Sequence, residues 1–94
     1  MQPPRRPSNT GEGYRNAVLR ELCRTLKSAR IGQGKSMTQL AEEAGLSQQA
    51  VSYFERGMRT PSVDTLLRIA AALNLSLPWV FEEADRAAAA YLKK

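Results

Sequence analysis

Histidine is absent from this chain, and cysteine occurs once among its 94 residues. This composition excludes the usual ligand sets of a structural zinc site, the histidine-based catalytic triads and any disulfide within the chain. Long apolar runs are missing too: none approaches the ~20 residues of a membrane-spanning helix, and the N-terminal stretch lacks the apolar segment of a secretory signal. We therefore expect no enzyme, no metal or cofactor site and no membrane contact, but a soluble, cytoplasmic domain.

The length and the charge distribution narrow the choice further. From this length we expect one small domain, without a separate catalytic or ligand-sensing domain. The net charge is +5, which suggests a polyanionic partner such as nucleic acid or a membrane surface. Residues 1–35 carry eight Lys and Arg against two Glu, whereas residues 36–94 carry six against seven Asp and Glu. The positive excess therefore lies entirely in the first third of the chain.

The first two segments have different compositions. Residues 1–13 contain three prolines, two glycines and almost no large apolar residue, so we expect a flexible basic arm. From Tyr14 apolar residues recur at helical spacing, and Gly32 and Gly34 give a stop signal. The pattern predicts a first helix over about residues 14–32, with basic residues on its remaining positions: Arg15, Arg20, Arg24 and Lys27.

Two short helices joined by a tight turn are predicted next. Ser36 with Gln39 three residues later forms a capping-box pattern for the second helix. Gly45 can adopt the left-handed conformation that ends it, and Ser47 is a good N-cap for the third helix. On a helical wheel of residues 47–56, apolar residues gather on one side and amides and hydroxyls on the other. Such a pair leaves one face of the third helix free to enter a DNA major groove.

The remainder of the chain predicts two more helices, so the fold class is all-α with about five helices. Ser62 caps the fourth, and Pro78 is tolerated in the first turn of the fifth. The fifth helix, about residues 77–93, is longer than the motif requires, and we expect its apolar stripe to mediate self-association. The alternative is an alanine-rich helix that frays in solution. The stripe comprises Leu77, Phe81, Ala84, Ala88 and Tyr91. Trp79 lies off this stripe, so it either packs back on the fourth helix or belongs to an interface.

Residues 36–73 carry a run of small, polar and aliphatic residues in a fixed register. They are Ser36, Gln39, Leu40, Ala41, Glu42, Gly45, Leu46, Ser47, Val51, Ser52, Glu55, Arg56, Gly57, Pro61, Ser62, Thr65, Leu66, Ile69, Ala70 and Leu73. On these residues the stretch 22–81 resembles the helix-turn-helix domain of the Cro and repressor proteins of lambdoid phages, a group widespread among bacterial regulators. The resemblance implies a five-helix, λ-repressor-like DNA-binding domain over residues 14–94, with its helix-turn-helix at about 37–56 and an extended C-terminal helix.

The resemblance also implies which side chains read DNA bases. In this family the third helix is the recognition helix, and the run Ser47-Gln48-Gln49 is similar to that of phage repressors whose paired glutamines contact bases. The resulting base-reading candidates are Gln48, Gln49, Ser52 and Tyr53. A glutamine side chain can pair bidentately with adenine N6 and N7. The alternative is that both glutamines are simply solvated polar residues.

Phosphate contacts are implied at two further places. At the start of the second helix the family usually has Gln, and this chain has Met37, so backbone amides would hold the phosphate with neighbouring hydroxyls. The loop after the recognition helix lies on the sugar–phosphate backbone in the family. The phosphate candidates are Ser36, Met37, Thr38, Ser47, Arg56, Arg59 and Thr60. Arg30 and Glu55 match positions where related repressors form a buried ion pair, which gives both a structural role.

The basic residues outside the motif are compatible with more than one role. Arg5 and Arg6 of the arm either stay solvated or reach an adjacent groove of DNA. We interpret the basic face of the first helix as a solvated surface rather than a second DNA footprint. Cys23 on that helix is interpreted as a small, partly buried apolar residue.

We therefore expect a sequence-specific double-stranded DNA-binding transcription regulator, a repressor that binds a palindromic operator as a homodimer. The alternative is an antitoxin or adaptor-type interaction module whose C-terminal helix binds a partner protein. The near-neutral charge of residues 36–94 and the presence of Met37 at the phosphate position lend that alternative some weight.

Overall fold

The computed structural model describes residues 2–3 and 11–92, and within them it has five helices and no strand. The helices are α1 (Gly11–Gly32), α2 (Met37–Ala44), α3 (Gln48–Glu55), α4 (Val63–Ala72) and α5 (Leu77–Leu92). The all-α, five-helix prediction is thus confirmed. Helix α1 begins at Gly11, earlier than the predicted start at Tyr14. The arm residues Arg5 and Arg6 lie outside the described residues.

Three serines begin the three helices α2, α3 and α4. The hydroxyl oxygens of Ser36, Ser47 and Ser62 each accept a 3.0 Å hydrogen bond from the backbone amide three residues later. Each bond satisfies one of the amides that a helix start leaves without an intrahelical acceptor. The turn between α2 and α3 depends on Gly45, whose φ of 70° is unfavourable for a residue with a side chain. The sequence signals for these boundaries are therefore confirmed.

One side of α3 is fixed by the hydrophobic core. Val51 and Phe54 are buried members of one core cluster to which every helix contributes. Its other large, fully buried side chains are Leu22, Leu26, Leu40, Ile69, Leu73 and Val80. Burial of each such side chain stabilises the fold by about 1.5–3 kcal/mol. Because Val51 and Phe54 face inward, the opposite side of α3 faces outward along its whole length.

The long helix α5 packs along α1 of the same chain. Ala84 and Ala88 on α5 and Ala17 on α1 are almost completely buried, and these small residues allow the two helices to approach closely. Tyr14 near the start of α1 donates a 2.6 Å hydrogen bond from its hydroxyl to the carboxylate of Asp85. The prediction that Ala84 and Ala88 lie in a dimer interface is therefore wrong, because α1 already covers them.

The other members of the predicted dimer stripe have different surroundings. Leu77 is partly buried against the core, so it too belongs to the fold of one chain. Tyr91 is exposed, and the guanidinium of Arg20 lies 4.9 Å from the centre of its ring. Phe81 and Trp79 are 39% and 45% exposed. Trp79 therefore keeps much of its surface in solvent, and exposed aromatic residues lie at both the start and the end of α5.

Across the described residues, no single helix is long and apolar enough to cross a membrane. Helices α4 and α5 reach the required length and composition only as a pair, and they meet at a bend of 106°.

Candidate nucleic-acid interface

The predicted base-reading side chains share the outward face of α3. Gln48 and Gln49 are exposed at the first turn of the helix, and Ser52 and Tyr53 are half-buried one turn later. Their common orientation follows from the burial of Val51 on the opposite side. The face carries amide and hydroxyl groups, which can donate to and accept from base edges.

Tyr53 organises this face in a way that the sequence interpretation did not include. Its hydroxyl oxygen accepts a 2.8 Å hydrogen bond from Nε2 of Gln49. The guanidinium groups of Arg59 and Arg56 lie 5.0 and 5.8 Å from the centre of its ring, within the range of cation–π attraction. Tyr53 therefore connects the start of α3 to the loop that follows it. The spacing of four residues between Gln49 and Tyr53 was the available signal, because such pairs are neighbours on a helix.

The loop between α3 and α4 presents the predicted phosphate-binding side chains. Arg56, Arg59 and Thr60 are all exposed. Nη2 of Arg15 on α1 donates a 3.4 Å hydrogen bond to the hydroxyl of Thr60, so the loop lies against the early part of α1. Arg56 and Arg59 thus have both guanidinium charge and solvent access, which phosphate binding requires.

The starts of α2 and α3 are suited to hold an anion. The first amides of a helix lack intrahelical acceptors, and the helix dipole favours negative charge there. Ser36 and Ser47 use their hydroxyl oxygens as acceptors in the caps, which leaves each hydroxyl hydrogen available for donation. Thr38 is exposed beside Ser36. Met37 is partly buried against the core, so it contributes packing and its backbone amide rather than a side-chain contact.

Arg30 and Glu55 form the ion pair that the resemblance implies. Nε of Arg30 donates to Oε2 of Glu55 at 2.6 Å, and Nη2 donates to Oε1 at 2.9 Å. The two side chains are only 11% and 5% exposed. Nη1 of Arg30 also donates to the backbone oxygen of Lys35 at 2.7 Å. One guanidinium therefore joins α1 to the last turn of α3 and to the segment that leads into α2.

Lys35 extends this framework to α2 and α4. Its ammonium group donates to the carboxylate of Glu43 on α2 at 2.6 Å and to the backbone oxygen of Ala72 on α4 at 2.8 Å. The hydrogen bond from Lys35 holds the pKa of the Glu43 carboxyl below its ordinary value. Glu43 also accepts a hydrogen bond from Nε2 of Gln39, which therefore does not complete the predicted capping box.

Cys23 lies on the buried side of α1, with 7% of its surface exposed. Desolvation raises the pKa of its thiol, which keeps the group protonated at neutral pH. Its burial agrees with the interpretation of Cys23 as a small apolar residue.

Comparison with known proteins places this geometry in a family. A model of the helix-turn-helix family matches residues 26–80, which is more than half of the chain. An uncharacterized HTH-type transcriptional regulator of Mycobacterium tuberculosis is 47% identical over 51 residues, covering 54% of this chain and 36% of that protein. The HTH-type transcriptional regulator SutR of Escherichia coli is 41% identical over 58 residues, covering 62% of this chain and 33% of SutR. The chain therefore spans about a third of the length of these two relatives.

A solved structure has the same fold. The clp gene regulator ClgR from Corynebacterium glutamicum superposes with a TM-score of 0.72 at 33% identity, covering 80% of this chain and 81% of that one. The match extends beyond the helix-turn-helix to most of the five-helix domain. Together with the family model, it confirms the resemblance seen in residues 36–73. The chain belongs to the XRE-type helix-turn-helix family, a family of DNA-binding transcription regulators.

Proposed function

We propose that this chain binds a specific double-stranded DNA site in the cytoplasm and represses transcription by occupying a promoter. The observation that carries the proposal is the outward face of α3. It presents Gln48 and Gln49 to solvent, while its inner side is fixed by the core and by the ion pair of Glu55 with Arg30. A rigid helix with a polar free face meets the geometric requirement for reading base edges in the major groove, which is about 12 Å wide.

Base reading and backbone anchoring have separate residues in this mechanism. Gln48, Gln49 and Ser52 contact base edges, with Tyr53 beside them, and the amide groups of the glutamines can pair bidentately with adenine. Phosphates are held by the starts of α2 and α3 and by the loop after α3. The groups involved are the hydroxyls of Ser36, Thr38, Ser47 and Thr60, the backbone amide of Met37, and the guanidinium groups of Arg56 and Arg59. The phosphate contacts fix register, and the base contacts supply specificity.

The proposed active species is a homodimer on a palindromic operator. A two-fold dimer presents two recognition helices about 34 Å apart, so that they enter successive major grooves. We assign the dimer contact to Trp79 and Phe81, because both are large aromatic side chains of α5 that remain 45% and 39% exposed in the single chain. Their position at the start of α5 replaces the Ala84 and Ala88 stripe as the proposed contact.

Selection of bound genomic fragments followed by sequencing tests the proposal. Enrichment of one inverted-repeat sequence is expected, with stronger retention of that site than of random DNA in an electrophoretic mobility shift. Sedimentation should give a dimer for the wild type and a monomer for Trp79→Ala combined with Phe81→Ala. Recovery of no common sequence would contradict specific DNA binding.

The same mobility shift at two salt concentrations separates the proposal from the adaptor alternative. A protein that neutralises several phosphates loses affinity steeply as salt rises, because binding releases condensed counterions. An antitoxin-like or adaptor module that binds only a partner protein through α5 would show neither site preference nor this salt dependence. That outcome would favour the alternative.

A further inference from the structure

An open groove of about 610 Å³ runs between α1 and the loop from α3 to α4. We call it the α1 groove. Leu19, Cys23, Met58 and Pro61 contribute its apolar lining. Cations from both sides surround this lining: Arg15, Arg20, Arg24 and Lys27 from α1, and Arg56 and Arg59 from the loop.

The charge of the α1 groove is largely uncompensated within the described residues. Its one carboxylate, Glu55, is engaged by Arg30. Arg24 pairs with Glu21 at 3.3 Å, but its side chain is 73% exposed, so water screens the pair. In the described part of the chain no carboxylate forms a salt bridge with Lys27, Arg56 or Arg59. Cations gathered around one concavity repel each other, and a bound polyanion relieves that repulsion.

The α1 groove is continuous with the outward face of α3. Its members Arg56 and Arg59 lie on the ring of Tyr53, and the hydroxyl of Tyr53 is bonded to Gln49. The proposed base contact at Gln49 and the α1 groove therefore belong to one continuous surface. Arg15 and Lys27 are separated by about 18 Å along α1 at a rise of 1.5 Å per residue. This length is enough to span several successive phosphates of one strand.

We propose that the α1 groove binds the sugar–phosphate backbone of DNA beside the bases that α3 reads. The inference rests on the proposed function and extends the DNA contact from the helix-turn-helix to the basic face of α1. It reverses the interpretation of that face as merely solvated. The cations begin at the recognition helix, so they adjoin the surface proposed to bind DNA, which favours the DNA backbone as the occupant. An acidic protein segment does not require the groove to adjoin that surface.

The test compares two double variants with the same change in net charge. Arg24→Gln with Lys27→Gln removes two exposed cations of the groove, and Arg68→Gln with Arg86→Gln removes two exposed cations outside it. For each protein, the affinity for a duplex carrying the selected site and for a random duplex is measured over a range of salt. Circular dichroism checks that both variants remain folded, and Arg24→Lys with Lys27→Arg restores the groove charges.

The groove variant should flatten the slope of log affinity against log salt concentration by about 0.9 for each lost phosphate contact, or about 1.8 in total. The reduction should be the same on both duplexes, because phosphates carry no sequence, and the charge-restoring variant should return to the wild-type slope. The Arg68 and Arg86 variant should keep the wild-type slope. Equal slopes for the groove variant and the wild type would overturn the inference.

The failures of the two proposals are distinguishable in the same experiment. If the wild type prefers the selected site but the groove variant keeps its slope, the groove inference fails and the proposed function stands. If the wild type shows no preference for the selected site, the proposed function fails. Polyglutamate is the probe for an acidic protein segment. One result would assign the groove to such a partner and overturn the inference: the groove variant alone loses polyglutamate binding, while its salt slope for DNA stays at the wild-type value.

Discussion

The side-chain amide of Gln49 donates a hydrogen bond to the hydroxyl of Tyr53, with 2.8 Å between Nε2 and the oxygen. The second hydrogen on Nε2 and the Oε1 acceptor both remain available to a base. A bidentate pair with adenine uses one amide donor and one amide acceptor. In the proposed complex this bond restrains the Gln49 amide before DNA binds, which limits its loss of rotamer freedom on binding.

Tyr53→Phe should weaken the base preference at the position that Gln49 contacts. The variant keeps the aromatic ring under Arg56 and Arg59 but removes the hydroxyl that orients the amide. Discrimination should fall by about 0.5–1.5 kcal/mol, the net contribution of one hydrogen bond. Competition binding with all four base pairs at each operator position measures it.

Tyr53→Ala is the companion variant for the ring. It also removes the surface on which Arg56 and Arg59 lie, so it should weaken binding to every sequence as well as the preference at one position. A Phe variant with wild-type preference at all positions would show that the Gln49–Tyr53 bond has no role in reading.

Glu55→Ala should destabilise the fold by about 3–5 kcal/mol, because it leaves the Arg30 guanidinium buried without its counter-charge. Urea unfolding followed by circular dichroism measures the change. Asp64→Ala is the matched control, since the Asp64–Arg68 pair is exposed and should contribute less than about 1 kcal/mol. Similar small losses of unfolding free energy for both variants would mean that the Arg30–Glu55 pair does not stabilise the packing of α3 against α1.

Ala88→Leu should destabilise the monomer, because Ala88 is fully buried between α5 and α1 and extra methylenes there cost about 1–3 kcal/mol. Ala90→Leu on the exposed side of the same helix is the control and should have little effect. Unfolding and sedimentation are measured together. A change in oligomeric state with unchanged monomer stability would instead assign Ala88 to an interface between chains.

Local features of the fold were predictable from the sequence because they depend on residues close together in the chain. Ser36, Ser47 and Ser62 cap helices through amides three residues away, and Gly45 ends α2 through its own backbone conformation. The exposure of Gln48 and Gln49 followed from the helical spacing of the apolar residues on α3. The joining of Arg30 to Glu55 came from the resemblance alone, since no local signal links α1 to α3.

Contacts between distant parts of the chain were not predictable in this way. Tyr14 and Asp85 are 71 residues apart in the chain, and no local sequence pattern indicates that α1 covers α5. The apolar face of α5 therefore resembles a dimer interface when the sequence is considered alone. Arg15 and Thr60 are 45 residues apart. The charge pattern along the sequence shows that α1 is basic, but it does not show that α1 shares a groove with the loop arginines.

The most direct test of the central claim is the affinity of Gln48→Ala combined with Gln49→Ala for the selected site and for random DNA, at one salt concentration. Each bidentate pair contributes about 1–3 kcal/mol of discrimination, so the ratio of the two affinities should fall at least about 30-fold while binding to random DNA stays near the wild-type value. Equal losses on both duplexes would contradict base reading by α3.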